Sequence, residues 1–484
     1  MPNIILIVLD TARAKSFSCY GYHRKTTPNI DRIAEEGVLY KWCFSPANWT
    51  IPSHASLFTG LYPSEHGCHA GHVYLKTNLQ VLPEILAEAG YFTVGISCNG
   101  LVSKTFGFAR GFRVFYEYHR GDPFKGLTVL PPNLTMLQKL VFIYNSQGFA
   151  KIPIDLVKRT INKIWKRLLP GVIENSTPFS LKAVDKTKHF IHRYAEEFPL
   201  FLFVNLMQCH AKYNPPQPVR GTFCRKKMQY PRLKPAQYYA LKGIDSELAS
   251  HLRDLYDEEL LYADRLVGEI YEFLSQKNLL EETILVITSD HGELLGEHGG
   301  VLDHHYSLYD ELCRVPLIIR FPRSLNAYGI DNRIVQLTDL FSTFCDVVGL
   351  PFPSPWSSHS LLSSNRRNVA ILEDMDAPFK LRLWKTQDPD FPTENYPYRY
   401  PLLGISNSVL KVVGTVTESN AQITDVYLRE GRFEEEVRVT EGRENSNNFQ
   451  ELKDKWVRQS EIMREAVLQV VRKSGSREWT PFVC

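Results

Sequence analysis

Five short runs, "IILIVLD", "YFTVGISC", "LFLFVNLM", "ILVITSD" and "VPLIIRF", constrain this chain more than any other feature in it. Each is β-branched, aromatic or leucine-rich, shows no alternation of apolar and polar residues, and is bounded by polar or turn residues. A strand apolar at consecutive positions has both faces covered, which is the environment of a buried parallel sheet. Between the runs lie helical patterns. The clearest is Tyr256, Leu260, Ala263, Val267, Ile270 and Leu274, one apolar stripe along a helix. Strands alternating with helices predict an α/β fold: a large, mostly parallel sheet covered by helices on both faces.

With 484 residues the chain exceeds one ordinary core, so a smaller appendage is expected. From about residue 370 the texture changes. "GISNSVLKVVGTV" and "ITDVYLRE" read as antiparallel strands, followed by a polar linker and a helix over Phe449–Arg472. The expected division is a catalytic α/β domain over 1–365 and an α+β subdomain over 366–484, the latter an antiparallel sheet with a terminal helix. Residues 101–180 read as a helical insertion. Its segment "KIPIDLVKRTINKIWKRLLP" is basic and apolar at helical spacing: either a solvated surface helix or a contact for a membrane surface or an anionic substrate. The basic, proline-flanked loop 214–236 reads as a lid.

Apolar residues at 44% and charged residues at 23% exclude a wholly disordered chain. The 56 basic residues nearly balance the 53 acidic ones, and no nucleic-acid partner is expected. The opening apolar run stops at Asp10, too short for a signal peptide, and no run approaches the ~20 residues of a membrane span. Nine cysteines without a CxxC pair read as reduced thiols, so a cytoplasmic location is expected. The Asn-x-Ser/Thr triplets at Asn48, Asn133 and Asn175 are then chance matches. Nothing in the chain speaks to oligomeric state.

In open α/β sheets, ligands sit beyond the carboxyl ends of the strands. The predicted strands deliver Asp10, His210, and Asp290 with His291 to that rim, while Thr50 follows a short extended stretch and opens the helix "TIPSHASLFTG". Taken singly, each has a plain reading: a turn-forming Asp, a hydrogen-bonded His, a Thr that caps a helix. Together they form a mainly hard ligand set. Two adjacent carboxylates repel unless a cation neutralises them; Ca²⁺, Mg²⁺ or Mn²⁺ suits the set, and the imidazole leaves Zn²⁺ open. A cation would make a threonine hydroxyl acidic enough to attack, and a helix N-terminus favours a phosphate or sulfate group.

At this point the motifs resemble those of the sulfatase family, within the alkaline-phosphatase superfamily. "VLDTARAKSFSCYGY" is similar to the family's opening strand and metal aspartate, and "TIPSHASLFTGLYPSEHG" to its nucleophile motif. "CHAKYNPP", "TSDHGELLGEHG" and "HHYSLYDELCRVPLIIR" resemble the later conserved segments. The resemblance implies an alkaline-phosphatase-like fold and one divalent metal ion held by Asp10, Thr50, Asp290 and His291. Thr50 would be the nucleophile. His210 would contact the transferred group or protonate the leaving oxygen. His305, or His304 as the close alternative, would hold a substrate oxygen. His54 stands where the family commonly has a substrate-binding arginine.

The departures from the family are specific. Most sulfatases oxidise a Cys or Ser to formylglycine at the position of Thr50, and threonine cannot become that aldehyde. Phosphorus is therefore a more comfortable target than sulfur. Thr11 stands where many sulfatases have a second metal aspartate, and Lys15 where an acid is common. His69 or His72 falls near an oxygen-binding asparagine of related phosphodiesterases. The segment "NLMQCHAKY" lacks the aspartate of two-metal relatives, which implies a single cation. The expected function is a metal-dependent hydrolase of a sulfuric, phosphoric or phosphonic ester on an anionic small molecule or glycan. The alternatives are a phosphoalcohol transferase acting on a glycan or lipid, with peripheral membrane contact, and a non-catalytic binding protein with a decayed site.

Overall fold

Successive residues of β1 (Asn3–Leu9) enter two different cores: Ile5, Ile7 and Leu9 pack on one side of the sheet, and Ile4, Leu6 and Val8 on the other. This is why the run is apolar without alternation. The computed structural model of the protein describes residues 1–69, 72–119, 177–224, 244–304, 307–350, 357–376, 400–417, 420–430, 435–438 and 447–473.

The central nine-stranded sheet holds β1, β2 (Val38–Phe44), β3 (Phe92–Ser97), β4 (Val114–Glu117), β5 (Leu200–Leu206) and β6 (Thr283–Thr288). A two-residue hairpin of β7 (Leu294–Leu295) and β8 (Leu302–Asp303) stands apart, and β9 (Arg314–Val315), β10 (Leu317–Arg320) and β11 (Gly329–Gln336) complete the sheet. Its order is β11-β2-β10-β6-β1-β5-β3-β4, with β9 beside β2. Strands β6, β1, β5, β3 and β4 run parallel. The run "VPLIIRF" does not: β10 is antiparallel to both β6 and β2. Both faces of a central strand are buried whichever way it runs, so its composition carries no direction.

One face is covered by α1 (Pro28–Glu35), α5 (Thr177–Tyr194) and α6 (Ser246–Gln276), and the other by α2 (Thr50–Thr59), α4 (Leu82–Glu88) and α8 (Thr338–Val348); short α3 (Pro63–His66) and α7 (Asp310–Cys313) lie in the connections. The predicted stripe from Tyr256 to Leu274 is buried against the sheet within α6. The stretch 101–180 differs from its reading as an insertion, because β4 is a strand of the central sheet and α5 begins at Thr177. The basic segment Lys151–Pro170 and residues 225–236 of the expected lid lie outside the described residues.

A second, antiparallel sheet runs β12 (Ala370–Asp374), β13 (Leu402–Ser406), β14 (Leu410–Val416), β15 (Ala421–Glu430) and β16 (Glu435–Arg438) in that order. Leu403, Ile405 and Val412 pack with Phe449, Leu452 and Trp456 of α9 (Asn447–Lys473). The opposite side shares a core with Trp42 and Phe44 of β2. At the seam, buried Glu373 accepts hydrogen bonds from Ser64 N at 2.7 Å, Ser64 Oγ at 2.9 Å and Gln459 Nε2 at 3.2 Å. Burial outweighs these bonds and raises its carboxyl from 4.5 to about 7. Over that interval the folded chain holds a proton that the unfolded chain has lost, so its contribution to stability falls as pH rises. Glu373→Gln is expected to flatten the pH dependence of stability between 4.5 and about 7. Melting curves at stepped pH check this, and an unchanged slope would refute it.

Candidate active site

The carboxyl ends of β1, β3, β5 and β6 meet at one rim. Asp10 follows β1; its Oδ2 accepts from Asn99 Nδ2 at 2.6 Å, while its buried Oδ1 has no hydrogen-bond partner among the described residues. Asp290 follows β6, and its Oδ1 accepts from His291 N at 2.9 Å and Thr11 N at 3.3 Å. Its Oδ2 is likewise buried and without a hydrogen bond. His291 Nδ1 donates to Gly292 O at 2.9 Å, which leaves the Nε2 lone pair facing Asp290 Oδ2 at 3.4 Å and Thr50 Oγ1 at 3.3 Å. One ligand atom from each of Asp10, Asp290 and His291 falls within a 4.8 Å cluster.

Such a set is costly as bare protein. Burial, and then the neighbouring Asp10, push the Asp290 carboxyl well above its ordinary range. A buried oxygen left without a partner forfeits its hydration. A divalent cation reverses both terms. The His291 tautomer, fixed by a backbone carbonyl, is also the arrangement usual for a metal-ligating imidazole. The donor set therefore fits such an ion. The backbone is shaped to bring these atoms together: Thr11 adopts a left-handed φ of 59° just past Asp10, a conformation costing about 1–3 kcal/mol in a non-glycine residue. Gly292 is required by close approach, since a Cβ there would lie 1.9 Å from Glu311 O.

Thr50 is the first residue of α2, and the N-cap is Trp49. Its hydroxyl makes no capping bond; it is 2% exposed and faces His291. The preceding turn is tied to the second sheet: Asn48 Nδ2 donates to Asp374 Oδ2 at 2.9 Å and to Ser307 O at 3.0 Å, and Trp49 Nε1 donates to Asp376. With Asn48 fully buried, its glycosylation triplet is unusable in the folded chain.

His54 is fully buried one turn along α2. Its Nδ1 donates to Thr50 O at 2.9 Å and lies 3.5 Å from Asp290 Oδ2, and its ring meets the edges of Phe58, Phe108 and Phe203. The structure thus places His54 beneath the rim and fully enclosed, by Thr50 O, Asp290 and the three aromatic rings, in place of the substrate-facing position that the resemblance implies. Two other imidazoles do join the site. The His304 ring lies 4.5 Å from that of His291 and 5.3 Å from that of His210. Burial opposes charge on His304, but Glu293 and Asp303 outweigh it and raise the imidazole to about 9. His305 lies outside the described residues. His210 Nδ1 donates to Ala211 O at 2.7 Å, leaving Nε2 for other partners.

The remaining candidates are placed differently. Thr11 Oγ1 turns back to donate to Asp10 O at 2.7 Å, and Lys15 pairs with Glu311. His69 lies 3.9 Å from Asp376 and pairs through its backbone with His72.

The protein-family model "Sulfatase" matches residues 2–350. The chain belongs to the sulfatase family. An N-acetylglucosamine-6-O-sulfatase of Bacteroides thetaiotaomicron is 26% identical over 399 residues, 74% of this chain and 70% of that protein. A human N-acetylgalactosamine-6-sulfatase is 25% identical over 380 residues, 73% of this chain but 63% of the human enzyme. Among solved structures, a phosphonate monoester hydrolase of Agrobacterium radiobacter matches with a TM-score of 0.67 at 18% identity over 96% of each chain. A protein in complex with its substrate D-glucosamine-2-N,6-O-disulfate gives 0.64 at 18% identity, covering 99% of this chain and 100% of that one. These two likenesses establish the alkaline-phosphatase-like fold.

Two groups at the rim of this sulfatase-family site escaped the sequence reading. Asn99 follows the run "YFTVGISC" and would have been found by applying to β3 the rule used for the other strands. Glu293 sits inside "TSDHGELLGEHG", but its approach to His304 depends on the β7–β8 hairpin folding back. Among the described residues no helix is long and apolar enough to cross a membrane.

Proposed function

We propose that this sulfatase-family chain hydrolyses a sulfuric, phosphoric or phosphonic ester of an anionic glycan or small molecule, with Thr50 as nucleophile. The observation that carries the reading is the pair of buried carboxylate oxygens without a hydrogen bond among the described residues, Asp10 Oδ1 and Asp290 Oδ2, gathered with His291 Nε2 beside the Thr50 hydroxyl. Asp10, Asp290, His291 and Thr50 would hold one divalent cation, which when bound supplies Lewis acidity to the hydroxyl and to the substrate oxyanion. Thr50 gives its hydroxyl proton to solvent as Oγ1 attacks sulfur or phosphorus in line, and the positive end of α2 favours the gathering negative charge. His210, through Nε2, gives a proton to the leaving alcohol as its bond to sulfur or phosphorus breaks. His304, which contacts Glu293 and Asp303, faces the same space and donates a hydrogen bond to a substrate oxygen. Water then attacks sulfur or phosphorus, releasing the anion and restoring the threonine hydroxyl.

The hexosamine sulfatases among the relatives support a sulfated glycan as substrate. The threonine, which lacks a second hydroxyl to expel sulfate, favours phosphorus. Assays of the purified chain with aryl sulfates, phosphodiesters and phosphonate monoesters, with and without Ca²⁺, Mg²⁺, Mn²⁺ and Zn²⁺, separate these chemistries. Titrating the same ions into chelator-treated protein is expected to raise its stability by about 2.7 kcal/mol at a hundredfold excess over Kd. Asp290→Asn is expected to abolish most of that gain. No thermal shift with any ion, together with no turnover, would favour a non-catalytic binding protein.

A further inference from the structure

Three consecutive acids on α6, Asp257, Glu258 and Glu259, are 0%, 0% and 4% exposed, and the chemistry above uses none of them. Each is committed to a different piece of chain. Asp257 Oδ2 accepts from Tyr22 Oη and Arg24 Nη1, both at 2.8 Å. Glu258 Oε1 alone takes three backbone N–H groups, from Gly221 at 3.0 Å, Phe223 at 2.9 Å and Cys224 at 2.8 Å. Glu259 Oε1 takes Asn214 N at 2.7 Å. Segment 207–224 leaves the end of β5, carries His210 and crosses α6, so its far end hangs on Glu258 and its middle on Glu259. Tyr213 packs edge-on to Tyr256 with ring centroids 5.6 Å apart. The Tyr256 hydroxyl in turn donates to Thr11 O at 2.9 Å and accepts from Arg13 N at 3.0 Å. One turn of α6 therefore braces both the His210 segment and the backbone just past Asp10.

Burying two acidic side chains to bind loop amides is a large outlay if the loop only needed to be polar and exposed, and burial pushes the Glu259 carboxyl up to about 8. Bonds from several N–H groups to one charged oxygen are strong and directional, which suits a loop that must hold a fixed position. We propose that Glu258, assisted by Glu259, is a positioning residue for His210: it sets where the imidazole stands relative to the leaving oxygen. The inference rests on the reading of His210 as the proton donor. A displacement of about 1 Å in such a group can cost about a hundredfold in rate.

The test uses the full chain loaded with its activating cation and a series of esters running from 4-nitrophenyl to alkyl leaving groups. A nitrophenolate leaves without a proton, whereas an alkoxide does not. Glu258→Ala is expected to lower kcat by about 10- to 100-fold for alkyl esters and to leave 4-nitrophenyl turnover and KM nearly unchanged. Glu258→Gln keeps the accepting oxygen and is expected to recover most of the loss. Hydrogen exchange in the 207–224 peptides should quicken in Glu258→Ala with other peptides unmoved. An equal loss for every leaving group, or unchanged exchange in 207–224, overturns the inference. His210→Ala is run beside it. If that variant shows no leaving-group dependence, the proton-donor reading fails, and the positioning role falls with it. If His210→Ala shows the dependence and Glu258→Ala does not, the proposal for Glu258 alone is wrong.

Discussion

Thr50→Ala is expected to abolish turnover while leaving the fold and the cation site largely in place. The hydroxyl caps nothing in α2, whose N-cap is Trp49, and it faces His291 Nε2 at 3.3 Å. Removing it therefore costs little structurally, and the melting temperature should stay close to that of the parent chain. Loss of a nucleophile that acts as one unit with its activating groups lowers kcat by about 10⁴-fold or more. Thr50→Ser, which keeps the oxygen at N1 of the helix, should retain measurable activity. Steady-state kinetics on the best substrate from the ester panel decides the matter. If the alanine variant kept parental kcat, the nucleophile would be another group, and water activated at the same rim would become the reading to test.

The largest effect on stability is expected at Asp310, far from that chemistry in role. Asp310 opens α7 and accepts from Arg429 Nε at 2.6 Å and Nη2 at 2.8 Å, with Lys411 Nζ at 3.2 Å. Both cations belong to the second sheet, and their side chains are 1% and 0% exposed. Burial opposes the charge on Asp310, yet Arg429 and Lys411 outweigh it and hold the carboxyl well below its ordinary value of 3.8. A depressed carboxyl contributes stability above that ordinary value and loses it as acid protonates the folded group. Asp310→Ala would remove a buried counter-charge shared by two buried cations, at a cost of about 3–5 kcal/mol. The variant should also lose most of the acid sensitivity that this cluster confers. Denaturant unfolding at neutral and acid pH measures both. A destabilisation below about 1 kcal/mol, the range of an exposed pair, would show that the cluster does not hold the second sheet to the first.

Much of the site was legible because its residues sit at strand ends, and strand ends are visible in a chain whose strands are uninterrupted apolar runs. Asp10 and the Asp290–His291 pair were reached this way, and they form the 4.8 Å cluster. His54 was expected at the substrate because it stands where the family commonly has an arginine, and a motif position carries no depth. Its position four residues after Thr50 sends its Nδ1 to the Thr50 carbonyl and its ring among Phe58 of the same helix and Phe108 and Phe203 of distant segments. The direction of β10 was hidden for a related reason, since an apolar strand fits a buried slot in either orientation.

What the sequence alone determined is local: which runs are strands buried on both faces, which stripe of α6 faces the sheet, and which polar residues stand where a strand stops. These depend on side-chain period and on the chemistry of adjacent residues, so one stretch of chain is enough to read them. Only the tertiary structure decided which of those polar groups meet. It paired two carboxylates 280 residues apart over one imidazole, sent His54 inward, and hung the His210 segment on acids of α6. Those outcomes rest on backbone closure between distant elements, and a linear pattern holds no distance across it.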